Sequence, residues 1–490
     1  MKHSIRSKAT PEQSLDPSDW TAFRSLSHRM LDVALDHVQG VRDRPVWTQM
    51  PDKAKQALAE PPPMDAQGTE KVCDDLIEMV LPYTMGNTHP HFLSWVLGSG
   101  TPGGVIAETF AAAMNANLGG GDHGAIYVER QVIDWCRRVF DFPETASGLV
   151  VTGTSMATLT ALTVARYHKA GYDVRARGLQ SQEGKLVGYA SVEAHSCNTR
   201  AFDILGLGQD ALRAIPVDGA YKMDIDALRR AIAEDVAAGN RPFCVIGTAG
   251  TVNTGAIDDL AAIAEICRDH DLWFHVDGAF GALAALSDTL RPRLEGIEQA
   301  DSLAFDFHKW MHIQYDAGFV LVRDEELHRE AFTLRPEYLG AASRGLAAGG
   351  QWFCEYGPEY SRGFRALKVW FTLKEHGFNR IAEKIDDNCG QAAYLAKLVE
   401  ARPELELVAQ VSLNIVCFRF VAPSTTDQEL DRINAEIVMD LQEKGIAAPS
   451  TTMLRDILAI RVNITNHRST RADFDMLADA VVEAGRAKLT

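Results

Sequence analysis

The sequence predicts an α/β protein built on a mainly parallel sheet, with a helical segment before it and a smaller α+β lobe after it. Three observations carry this. Across 86–370 short apolar runs alternate with helical stretches, as in a sheet covered by helices on both faces. Residues 1–85 show helical periodicity alone, and 371–490 combine long helical stretches with two isolated strands. At 490 residues, with 46% apolar and 23% charged residues, the chain is long enough for two or three packed lobes.

In order along the chain, SDWTAFRSLSHRMLDVALDHVQGV opens with the capping types Ser18 and Asp19 and continues with apolar residues at helical spacing. A break at Pro61-Pro62-Pro63 precedes a second amphipathic stretch, KVCDDLIEMVLPY. Two such helices cannot bury their apolar faces alone, so they are expected to dock on the main domain or on a partner subunit. Strand-like runs follow at 186–191, 243–248, 272–277, 302–306 and 317–323, with helical candidates at 155–170, 225–238 and 258–270. In sheets of this kind ligands collect at the carboxyl ends of strands. Beyond 370 come RALKVWFTLKEHG and RIAEKIDDNCGQAAYLAKLVEA, the strands LNIVCFRFV and LAIRVNI, and a final helix.

A net charge of −17 disfavours a non-specific grip on nucleic acid or on anionic membrane. Eight cysteines are scattered singly, with no CxxC or His/Cys pairing, so no metal site is expected. Cys244 and Cys417 lie inside apolar runs and read as reduced core thiols. No run reaches the roughly 20 apolar residues of a membrane helix, nor does the start resemble a signal peptide. A cytoplasmic location, with no membrane or nucleic-acid partner, is the expectation.

The chemistry concentrates at strand ends. Lys309, in SLAFDFHKW, directly follows a strand and a histidine and is flanked by Phe307 and Trp310. Desolvation there should depress its pKa and favour a neutral amine able to form an imine. Alone, it would read as a strand-end lysine reaching solvent. Asp277 closes the strand in WFHVDGAFG, where small residues let a flat molecule approach; a buried carboxylate needs a cationic partner, and a protonated pyridine nitrogen is one. Thr154 and Ser155 follow Gly153 at a helix start, where N–H groups and the dipole suit a phosphate. In isolation such residues are usually caps. His195, in SVEAHS, follows another strand and offers a flat ring for stacking.

In this order the segments resemble the group II decarboxylases, the fold-type-I family of aromatic amino-acid, histidine and glutamate decarboxylases that use pyridoxal 5′-phosphate (PLP). THPHFLSW, TGTSMATLTAL, the EAHS segment, GTAGTVNTGAIDDL, HVDGAFG, HKW and RGFRALKVW carry the resemblance over most of the chain. It implies that Lys309 is the Schiff-base lysine and Asp277 the partner of the pyridine nitrogen. It also implies that His195 stacks on the cofactor, that Ala279 packs on its ring, and that Thr154, Ser155 and His308 hold its phosphate. A homodimer is implied, with the site at the interface and residues 1–85 packed on the partner. The reaction implied is loss of CO2 from an amino-acid substrate.

Several positions depart from the family pattern. Met156 stands where many relatives have Glu, Val252 where they often carry Thr, and Asp306 where several animal members have Asn. An acid at 306 near a phosphate is unfavourable unless it is solvated or bonded outward. The loop tyrosine that donates a proton in relatives corresponds to Phe353 in a gapless reading, with Tyr356 as the candidate donor three residues on. Loss of that donor diverts some relatives to aldehyde products. Trp95 and Phe92 suggest an aromatic or apolar substrate side chain, or are core residues. Gly119-Gly120-Gly121 widens the pocket mouth or loosens the loop. Aromatic L-amino acids lead, with acidic or diamino acids as alternatives. An aminotransferase of the same fold would need a carboxylate-clamping arginine, for which Arg461 is the candidate.

Overall fold

The computed structural model describes residues 14–179, 184–334 and 342–489. The described residues up to Arg44, with Thr48–Thr84, form one compact unit, and Pro45–Trp47 with the residues from Met85 onward form a second.

In the first unit, Asp19 caps the helix Trp20–Gln39 by accepting from the N–H groups of Thr21 and Ala22. A shorter helix spans Thr69–Met79. Neither helix contains a buried residue. Arg29 bridges them weakly, 3.6 Å from Glu70 and 3.9 Å from Asp74. Trp20, Leu31, Val72, Leu76 and Val80 are left exposed.

The strands of the second unit are β1 (Phe92–Leu93), β2 (Ser147–Val151), β3 (Leu186–Ser191), β4 (Leu212–Ile215), β5 (Arg241–Thr248), β6 (Trp273–Asp277), β7 (Ser302–Asp306), β8 (Gly318–Val322), β9 (Leu405–Leu407), β10 (Ile415–Phe420), β11 (Ala448–Leu454) and β12 (Ile457–Asn463). β2 to β8 form one sheet in the order β2-β8-β7-β6-β5-β3-β4. The neighbours from β7 across to β4 pair in parallel, while β8 runs antiparallel to both β7 and β2. The link from Asp306 to Gly318 holds no helix and is too short for a parallel crossover, so the chain returns antiparallel. Lys309 lies in that link.

The helix Thr154–Lys169 crosses this sheet on a face of small residues. Ala157, Ala161 and Ala165 recur at four-residue spacing, fully buried beside Leu162 and Val164. Each of the larger two contributes roughly 2 kcal/mol by leaving water. Close approach at the helix start depends on glycine: a Cβ on Gly318 would lie 2.3 Å from the Gly153 Cα.

The smaller lobe is a second sheet, ordered β1-β11-β12-β10-β9, covered by the helices Asp427–Glu443 and Arg471–Ala487. Its edge strand β1 comes from far earlier in the chain, with Phe92 paired to Ala448. The helix Ala366–Glu400 runs between the lobes and bends at Gly377, whose φ of 73° and ψ of 160° break the helical ladder.

Candidate active site

The ends of β6 and β7 are locked together by main-chain bonds. The N–H of Gly278 donates to Ala304 and that of Asp306 to Ala279, both at 2.9 Å. Asp306 is buried and turned inward. Its Oδ2 lies 2.9 Å from Lys309 Nζ and 3.6 Å from His308 Nε2. Its Oδ1 accepts the Thr154 N–H at 2.6 Å. The carboxylate is thus neither solvated nor bonded outward, the two arrangements that would suit a phosphate beside it: the helix start and the lysine draw it in.

This also reverses the expectation for Lys309. Burial pushes its pKa down, but the charge and hydrogen bond of Asp306, followed by the charge of Asp277, outweigh that and hold it above the ordinary lysine value. The amine is kept as an ammonium by carboxylates that desolvation alone does not anticipate.

Asp277, at the end of β6, is buried. Its Oδ2 accepts from Asn198 Nδ2 at 3.0 Å, with the Cys197 thiol at 3.9 Å. Among the described residues its Oδ1 receives only the Ala279 N–H, at 3.3 Å. Asn198 also donates to the carbonyl of His195 at 3.1 Å, so one amide ties Asp277 to the loop that carries His195. His195 caps the helix Ser196–Ile204, its Nδ1 accepting from the Cys197 N–H at 3.2 Å. The neutral ring therefore carries its proton on Nε2. The surrounding protein lowers the His195 pKa, chiefly by burial; Asp277 and Asp306 oppose this and Lys309 adds to it.

Thr154 is buried, and its Oγ1 has no hydrogen-bond partner among the described residues; Ser155 beside it is exposed. His308 is buried, its Nδ1 accepting from the Ala317 N–H at 3.1 Å and its ring packed at a tilt of 34° against Tyr315, with centroids 4.1 Å apart. Burial pushes its pKa down. An unpartnered hydroxyl at a helix start, a lysine on the next strand end and a carboxylate with one lightly engaged oxygen fit a molecule with a phosphate, a carbonyl and a basic ring nitrogen. Asp306 is the one group that fits poorly beside a phosphate.

A family model described as the pyridoxal-dependent decarboxylase conserved domain matches residues 51–421. The chain belongs to this family. Its members are PLP-dependent amino-acid decarboxylases, and PLP is the cofactor. The chain is 34% identical over 454 residues to an aromatic-L-amino-acid decarboxylase of Bacillus atrophaeus, covering 91% of this chain and 92% of that one. It is 28% identical over 467 residues to a phenylacetaldehyde synthase of Arabidopsis thaliana, covering 92% and 93%. The crystal structure of Oryza sativa TDC with PLP and tryptamine superposes with a TM-score of 0.90 at 23% identity, over 97% of this chain and all of that one. This last match establishes the fold.

The remaining predicted positions in this decarboxylase make contacts of their own. Tyr356 is buried; its hydroxyl donates to Glu325 at 2.5 Å and its carbonyl accepts from His328 Nε2 at 2.7 Å. Phe353 is buried too, with the Arg362 guanidinium over its ring. Neither side chain joins the Lys309 cluster within the chain: Tyr356 is held by a carboxylate and by ring packing against His328. Phe92 packs with Val46 and Ala448 as a core residue. Trp95 is exposed, in a left-handed conformation with φ of 49°. It lies three residues before Gly98, where a Cβ would meet the Lys309 carbonyl at 2.3 Å. Gly120 opens no pocket, since a Cβ there would overlap the Trp352 ring at 2.3 Å. Arg461 donates from Nε to Val252 O at 2.8 Å and from Nη1 to Trp95 O at 3.0 Å, while its buried Nη2 has no partner among the described residues.

Asn198 was not singled out by the sequence, although its place one helical turn after His195 was a usable signal.

Proposed function

We propose that the chain decarboxylates an aromatic L-amino acid to its amine and CO2, with Lys309 as the covalent anchor of PLP. The observation that carries this reading is the shared electrostatic neighbourhood of Lys309, Asp277 and His195 at the ends of three strands. PLP would be held by Lys309, by Asp277 at its ring nitrogen, and by Thr154, Ser155 and His308 at its phosphate, with Ala279 and His195 on its two faces. Bound there, PLP supplies an electron sink for the pair left by the departing carboxylate.

The chain's own residues provide the rest. Asn198 and Cys197 occupy Asp277 Oδ2 and leave Oδ1 for the cofactor. The neutral His195 presents a flat ring with its proton on Nε2. Trp95 offers an exposed indole for an aromatic substrate. An aminotransferase reading has less support, because Arg461 already commits two of its nitrogens to main-chain carbonyls.

The exposed apolar side chains on the two N-terminal helices support a homodimer in which this segment packs on the partner. Eight cysteines without a disulfide support a cytoplasmic setting.

The engagement of Tyr356 with Glu325 favours a second reading, an aldehyde-forming enzyme. Incubating the PLP-loaded protein with aromatic, acidic and diamino acids, while measuring CO2, amine, aldehyde and peroxide, separates the two. Amine with CO2 from aromatic substrates is expected. Aldehyde with peroxide would establish the second reading, and keto acid without CO2 would refute both.

A further inference from the structure

We infer that Asp306 makes phosphate binding at this site proton-linked: the cofactor's phosphate enters the helix start only as a proton joins the pair that it forms with the Asp306 carboxylate. This rests on the reading of the Lys309 cluster as the PLP site.

The helix Thr154–Lys169 offers N–H groups to an anion, but the first is already taken by Asp306 Oδ1 at 2.6 Å. Gly153 marks the meeting point. A Cβ there would lie 3.5 Å from His308 Cε1 and 3.6 Å from Asp306 Oδ1. Asp306 is 2% exposed, and its main chain is bonded to Ala279, so it has no room to withdraw into solvent. A phosphate drawn to the unpartnered Thr154 hydroxyl meets a second anion in a buried place, where like charges strongly favour neutralising one of them. The balance is simple. One proton from solvent lodges between the carboxylate and the phosphate, the more basic of the two, and cancels one of their charges, while Lys309 keeps its own proton.

The groups facing Asp306 are Lys309 and His308. His195, Cys197 and Tyr315 also feel its charge, while Asp316 acts on His308 and Asp277 on Lys309. His308 is a further group able to take up a proton, and it survives in an Asp306 variant.

The test uses the full chain freed of cofactor and titrated with pyridoxamine 5′-phosphate, which has no aldehyde to bond to Lys309. Calorimetry at pH 8, above the phosphate's second pKa of about 6, in buffers of different ionisation heat counts the protons taken up. Wild type should take up close to one proton more than Asp306→Asn. Its affinity should weaken up to tenfold per pH unit above pH 8, while the variant binds more tightly with a flatter profile. Should the variant not fold, wild type titrated with unphosphorylated pyridoxamine serves: the two ligands should differ by close to one proton. Equal proton counts in either comparison would overturn the inference and leave the cofactor site standing. No binding of pyridoxamine phosphate to wild type would overturn both.

Discussion

Tyr356→Phe separates a structural tyrosine from a proton donor. The hydroxyl is buried and donates to the Glu325 carboxylate, which also accepts from Gln351 Nε2 at 2.6 Å. Removing it takes away one hydrogen bond to a charged group, a loss of about 1.5–3 kcal/mol. Glu325 keeps Gln351 and is partly open to water, so the lower end, about 1.5 kcal/mol, is expected. The aromatic packing against His328 survives. A general acid, by contrast, contributes about 10²–10⁴-fold to its step. The assay pairs urea denaturation with kcat and the amine-to-aldehyde ratio. A small stability loss is expected, with kcat within about threefold and product ratio unchanged, well short of the loss of a general acid. A hundredfold fall in kcat at unaltered stability, or a switch of product, would refute the structural assignment and return Tyr356 to the site.

Asn198→Leu leaves Asp277 Oδ2 without its 3.0 Å donor, a change of about 1–3 kcal/mol. PLP affinity measured by fluorescence quenching should fall roughly ten- to a hundredfold, and unchanged affinity would dismiss the tether. His195→Ala should lower kcat while PLP is largely retained, as read by absorbance; unchanged turnover would remove His195 from the site. The buried His275 and His328 have pKa values pushed down to about 4, chiefly by burial. Each titrates near 6.5 when unfolded, so the unfolded chain binds more protons between these values. Their stability contribution is complete above about pH 6.5 and is lost as pH falls toward 4, by up to about 3 kcal/mol each. Chemical denaturation should show His328→Gln losing less stability than wild type between pH 7 and 5, and parallel losses would contradict this.

The parts of the fold that the sequence revealed were those with a local signal. Continuous apolar runs located β3 and β7 residue for residue, because strands buried on both faces read without interruption. β2, with a glycine in a run of five, and β4, with a charged residue in a run of four, lacked that signal. β1 was invisible because its pairing with β11 joins residues far apart in the chain.

The site divides in the same way. Lys309, Asp277 and His195 stand at strand ends that motif order exposes. The inward turn of Asp306 depends on a helix start that only folding brings near it. The sign of the lysine shift followed from that contact, since burial and a neighbouring carboxylate act in opposite directions. The bond of Tyr356 to Glu325 was hidden too, because spacing gives no measure of which way a residue points.

The central claim is that Lys309 bonds PLP. Borohydride reduction of the PLP-loaded protein, followed by proteolysis and mass spectrometry, tests it most directly. A single pyridoxyl group on the peptide containing Lys309 is predicted, together with loss of the visible absorbance band in Lys309→Ala. A label on another lysine, or an unchanged band and normal turnover in that variant, would contradict the account.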